Sequence, residues 1–297
     1  MKHLHDHQKG LLAVLAAGLL WSTGGIFIKL VPFTAIQISF FRSIFAALVF
    51  LIIFKKDIFY ANLFTFINAI LYSAILILFV MATKMTTAAN AIFLQYTAPI
   101  YVLIFEPLIN KTKYDKINII TIFFCFVGML MFFIGKFSPG SMTGNVLALL
   151  SGVAYAAFLL GMRKNKKEYQ FSSIFYGNIL VAIICFSSIF EITNFTVPNF
   201  LMVSYLGIFQ IGLAYAIFSY GLKRVYAIEA SLITMIEPVL NPVWVFFGYG
   251  EVPSFMAIVG GIVILTAISI RAFVFELPVM KRRLKRNLSE EQHSVGR

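Results

Sequence analysis

The chain alternates between long apolar runs and short polar breaks. About 20 consecutive apolar residues is the length at which a helix crosses the bilayer core. Runs of that length are read at about 10–30, 35–54, 64–82, 87–108, 117–135, 144–162, 173–190, 202–221, 228–248 and 255–275. The pattern predicts an all-α integral membrane protein with ten transmembrane helices. Residues 1–9 form a polar tail, and residues 276–297 a basic one containing KRRLKR, placed to touch anionic lipid. The first run is read as a span rather than a cleaved signal, because Leu11 to Ile28 is too long for a signal core.

Composition sharpens this picture. Charged residues make up 12% of the chain and hydrophobic residues 60%, against about 25% charged in soluble domains. The net charge of +12 reads as topology rather than nucleic-acid binding. With the N-terminus inside, only Lys29, Lys84 and Lys136 fall at outer ends, while Arg42 lies within a span. The other Lys and Arg residues are cytoplasmic, so both termini are expected inside. Cys125 and Cys185 sit in apolar runs as small hydrophobes. The histidines lie in the tails, and no metal or cofactor is expected.

A repeat is visible. Gly10 to Trp21 aligns with Gly144 to Tyr155, preserving two glycines and an aromatic. Phe79 to Ala91 aligns with Phe218 to Ala230, which sets Pro99 against Pro238. The chain therefore divides into residues 10–136 and 137–275, five spans each. An odd number of spans puts the halves in opposite orientation, a plan of secondary transporters with the site near the midplane.

The polar residues at membrane depth are the candidate chemistry. Glu237 leads, because a carboxylate there needs a partner, a proton or water. It is either a charge or proton handler or a structural lock between the fourth and ninth spans. Pro99, Pro238 and Pro242 each deprive a carbonyl four residues back of its helical bond, on Gln95, Thr234 and Pro238. They read as kinks or as paired gates. Arg42 reads as an anion contact, an ion-pair partner, or a snorkelling anchor. Trp21, Asn90, Gln95, Tyr96, Tyr155, Gln210, Tyr215 and Trp244 are candidate cavity-lining residues. Gln95 and Tyr96 are neighbours and cannot share a helix face. Glu106 and Lys29 read as interfacial. No phosphate loop, HExxH or GxSxG pattern points to an enzyme.

The sequence resembles the EamA family of the drug/metabolite transporter superfamily. The resemblance is carried by Gly18 with Trp21, Phe41-Arg42, Gly207 to Tyr215 (GIFQIGLAY), Ala227 to Pro238 (AIEASLITMIEP) and Gly260-Gly261, and it covers roughly residues 10–275. It implies two inverted five-helix EamA repeats and movement of a small organic metabolite, such as an amino acid, by alternating access. In length and ends the chain is similar to bacterial inner-membrane exporters, so export is the expected direction, while the family itself fixes neither substrate nor direction. The first half departs from the pattern, with Ala98 in the place of Glu237. Expected partners are a small-molecule substrate, protons as coupling ion, and lipid. Monomer and homodimer both remain open. The alternative is a non-transporting scaffold or sensor of the same fold.

Overall fold

A computed structural model describes residues 2–110, 116–131, 139–165, 169–225, 230, 233–271, 273 and 274. The tail at 276–297 lies outside the described residues, as do Lys136 and Ala227 to Glu229. Apolar content and length dictate the elements. The first run is broken at Thr23 into α1 (Lys2–Ser22) and α2 (Gly24–Leu30). Then follow α3 (Ala35–Phe54), α4 (Leu63–Met85), α5 (Ala88–Gln95), α6 (Ala98–Asn110), α7 (Lys116–Met131), α8 (Pro139–Lys164) and α9 (Gln170–Cys185). The eighth run holds α10 (Val197–Tyr205), a π-helical stretch Leu206–Leu213 and α11 (Ala214–Leu222). The chain continues through α12 (Ile236–Tyr249) and α13 (Phe255–Arg271).

Seven stretches among the described residues are long and apolar enough to cross a membrane: Asp6–Leu30, Ala35–Ile58, Leu63–Met85, Ala88–Phe105, Met142–Met162, Gln170–Glu191 and Val197–Leu222. The shorter apolar helices α7 and α13 stand where the fifth and tenth spans are expected, and α12 stands where the ninth is. Large side chains such as Phe123 and Phe247 face outward, 62% and 77% exposed, which suits lipid.

Local capping starts several helices. Thr34 and Asn62 form capping boxes with Gln37 and Thr65, satisfying the first-turn amides of α3 and α4. The α4 helix packs on α8 and α9, α3 on α9 and the π stretch, and α1 on α11 and α12. The core is divided. One apolar cluster includes Ile38, Phe79, Leu94 and Leu206, and a second includes Ala46, Phe50, Leu76 and Ile211. Arg42 falls between them on α3, and Gln210 between them on the π stretch. The polar residues thus lie at the seam of two apolar cores.

The prolines behave differently from simple kinks. The chain breaks at Tyr96-Thr97 and again at Met235, before each proline. Pro99 and Pro238 then sit in the first turns of α6 and α12, where an N–H would lack a helical acceptor anyway. Pro242, by contrast, lies inside α12. Small residues permit the breaks to be covered. A Cβ on Gly152 would sit 3.0 Å from the Leu94 carbonyl and 3.1 Å from that of Gln95. A Cβ on Gly18 would sit 2.9 Å from Ile236 Cγ2, beside the other break. Gly152 lets α8 lie against the end of α5, and Gly18 lets α1 lie against the start of α12.

Candidate functional site

The π-helical stretch sets one side of the site. Here the backbone departs from regular α geometry, a feature common where a helix serves function. Gly207 and Gly212 let it lie directly on α3, against Phe45 and Val49. Gln210 is thereby buried with its amide toward Arg42. Its Oε1 accepts from Arg42 Nε at 3.1 Å and from Arg42 Nη2 at 2.7 Å. Its Nε2 donates to the Trp21 carbonyl at 3.3 Å. Arg42 is 3% exposed. A snorkelling Arg42 is therefore ruled out, because the guanidinium turns inward rather than to the surface. Its Nη1 is buried without a hydrogen-bond partner, a costly state that a bound acceptor would relieve.

The second side is built at the two breaks. Tyr96, at the end of α5, donates to Glu237 Oε2 at 2.8 Å. The same hydroxyl lies 3.3 Å from the Thr234 carbonyl, one of the carbonyls the prolines were expected to leave without helical bonds. One phenol therefore serves the carboxylate and the interrupted backbone together. Glu237 keeps accessible surface although it is enclosed by the bundle. The expected Arg42–Glu237 ion pair does not form directly: Arg42 is held by Gln210 and Glu237 by Tyr96.

Aromatic residues complete the wall. Trp21 meets Tyr215 edge-on at a ring separation of 5.1 Å and Phe218 at 5.1 Å. Its Nε1 is buried and unpartnered. Tyr155 on α8 packs against the second apolar cluster, as Tyr215 does. Tyr72 on α4, which sequence reasoning missed, packs on Tyr215 with rings 6.2 Å apart. Like Glu237, the side chains of Trp21, Tyr96, Tyr155 and Tyr215 are only partly buried. Tyr96 packs against the first apolar cluster.

Three candidates lie elsewhere. Gln95 turns to Ser151 on α8, Nε2 to Oγ at 2.7 Å, away from its neighbour Tyr96. Asn90 donates to Asn145 Oδ1 at 2.9 Å in a cluster with Thr86 near the start of α8. Both brace α5 against α8. Trp244 donates to Ser22 Oγ at 2.9 Å and faces partly outward. Lys29, expected at the interface, is ion-paired with Glu251 at 2.6 Å. The Glu106 side chain lies outside the described residues.

A polar seam inside an apolar helix bundle is what a solute-moving membrane protein requires, and the comparisons agree. The model of the EamA-like transporter family matches twice, over residues 8–134 and 142–272. The chain belongs to the EamA-like transporter family, within the drug/metabolite transporter superfamily, and is a multi-pass membrane transporter. It is 24% identical over 272 residues to a protein of Archaeoglobus fulgidus named "Uncharacterized transporter", covering 88% of this chain and 95% of that one. A Clostridium kluyveri protein of the same name is 24% identical, covering 87% and 91%. Human solute carrier family 35 member G1 is 28% identical over 191 residues, covering 58% of this chain and 52% of that one. A solved crystal structure of a protein 16% identical to this chain shares the fold with a TM-score of 0.63, covering 90% and 98%.

Proposed function

We propose that this protein is a secondary transporter that carries a small organic metabolite, an amino acid or related solute, out across the inner membrane by alternating access. Ten crossings arranged as two inverted five-helix repeats, residues 10–136 and 137–275, with both termini cytoplasmic, are part of the reading. It is supported by the two family matches, by the paired breaks at Tyr96-Thr97 and Met235, and by the reciprocal seating of Gly18 and Gly152 on them.

The observation that carries the reading is a pair of inward-held charged residues, Arg42 with its buried, unpartnered Nη1 and Glu237 held by Tyr96. A solute bearing an anionic and a cationic or proton-donating group would complete both. Protons, taken up at Glu237, are the proposed coupling ion. Trp21, Tyr155, Gln210 and Tyr215 line the path.

The test is counterflow and pH-gradient-driven flux in proteoliposomes, screened with amino acids and amines. Glu237→Gln keeps an acceptor for Tyr96 and removes the charge. It is expected to abolish gradient-driven flux while the melting temperature stays near that of the parent. Unchanged flux would remove Glu237 from the mechanism.

A further inference from the structure

Away from the seam, a second charged cluster closes the end of the bundle that the proposed topology places outside. Lys29 ends α2, and its Nζ meets Glu251 Oε2 at 2.6 Å and the Thr86 carbonyl at 2.8 Å. The Tyr249 ring lies 5.9 Å from the same ammonium. Glu251 Oε1 accepts from the Ala88 amide at 2.6 Å, at the first residue of α5. A carboxylate there also suits the positive end of the helix dipole. Lys84 adds a bond to the Val31 carbonyl at 2.6 Å. The Lys29 and Glu251 side chains are 9% and 15% exposed, so this is a half-desolvated pair, not a solvated surface contact.

The connectivity gives the cluster its meaning. Glu237 begins α12, and Glu251 follows its end. Ala88 begins α5, and Tyr96 follows its end. The two helices are thus fastened to one another twice, by Tyr96–Glu237 at the site and by Ala88–Glu251 with Lys29 at the outer surface. No equivalent fastening is available at the site in the mirrored position. The repeat places Ala98 opposite Glu237 and Met235 opposite Tyr96, and neither can make that bond.

We propose that Lys29, Glu251 and the start of α5 form the outer gate of the pathway, and that the Tyr96–Glu237 bond is its trigger, relayed through α5 and α12. This deepens the transport reading and rests on it. When a solute or proton takes Glu237 from Tyr96, α12 is left fastened to α5 only at Glu251. The outer end then opens with the remaining contacts to break. With both fastenings made, the structure is the state in which the outer side is shut.

The test reads geometry, not flux. Spin labels are placed at the exposed Leu30 and Val252, 39% and 68% exposed, flanking the gate, after Cys125 and Cys185 are replaced by serine. Pulsed electron–electron resonance in proteoliposomes then measures the outer separation. Glu251→Gln keeps the bond to Ala88 but removes the ion pair. It is expected to raise the separated population about tenfold or more, as loss of a partly buried charged contact would. Tyr96→Phe touches none of the outer residues and is expected to raise it in the same direction. Lys29→Arg, the conservative change, should keep the closed distance. Thermal melting confirms that each variant is folded. An unchanged distribution in Glu251→Gln overturns the gate, and an opening in Glu251→Gln without one in Tyr96→Phe overturns the trigger. Because no solute is needed, either failure is told apart from a failure of the transport reading itself.

Discussion

The Arg42–Gln210 contact makes the sharpest test of how the site is held. One amide oxygen accepts two N–H groups of a guanidinium that is 3% exposed, while Nη1 has no partner. Gln210→Leu removes both bonds and leaves a buried cation with nothing in reach. Hydrogen bonds to charged groups contribute about 1.5–3 kcal/mol each, and breaking a buried charged contact costs about 3–5 kcal/mol. A loss of about 3–5 kcal/mol is therefore expected, with a melting temperature lowered by roughly 10 °C in detergent. The partner change, Arg42→Met combined with Gln210→Leu, removes the charge as well. Replacing both members by apolar groups of similar size is often near neutral. The double variant should therefore recover most of the stability and still fail to bind an anionic solute group. A thermal-unfolding mutant cycle measures this directly. If the double variant is as unstable as the sum of the single changes, Arg42 and Gln210 do not act as a pair, and the account of the seam is refuted.

Three further substitutions address packing and local bonding. Gly152→Val would press on the Leu94 and Gln95 carbonyls and on Thr97 Oγ1, costing about 1–3 kcal/mol by overpacking; Gly18→Val should cost a similar amount if the two breaks are equivalent, and melting temperatures compare them. Trp244→Phe deletes the bond to Ser22 and should lower stability by about 1 kcal/mol, leaving flux in proteoliposomes within twofold, because Trp244 stands off the seam.

What the sequence made legible was whatever its local pattern encodes. Run lengths located α3 and α4 to within a few residues, and the Gly10–Trp21 and Gly144–Tyr155 alignment anticipated two glycines that each cover a break. The Glu-Pro step pointed to the interrupted backbone at Thr234, and Tyr96 is found serving it. What stayed hidden depends on partners far away in sequence. Arg42 finds Gln210 across 168 positions, and nothing near Phe41-Arg42 distinguishes an inward guanidinium from a snorkelling one. The π turn at Leu206–Leu213 is invisible because its residues are almost uniformly apolar, so a change of helical period leaves no polar face to reveal it. Asn90 and Gln95 were grouped with Tyr96 by proximity along the chain, whereas α5 turns them to α8.

Glu251 shows how far this dependence on distant partners extends. Its position after Gly250, the one glycine among the described residues with positive φ, looks like an ordinary loop acid. The left-handed turn lets the chain leave α12 and bring that carboxylate onto Lys29 and the α5 amide at once. A charge that is cheap in a loop becomes a fastening only because α2 and α12 end where α5 begins. The chemistry of the seam and the closure of the outer end therefore share two helices. Under the proposed transport reading, a solute that competes for Glu237 would act on both, and the outer-distance measurement in Tyr96→Phe tests that link.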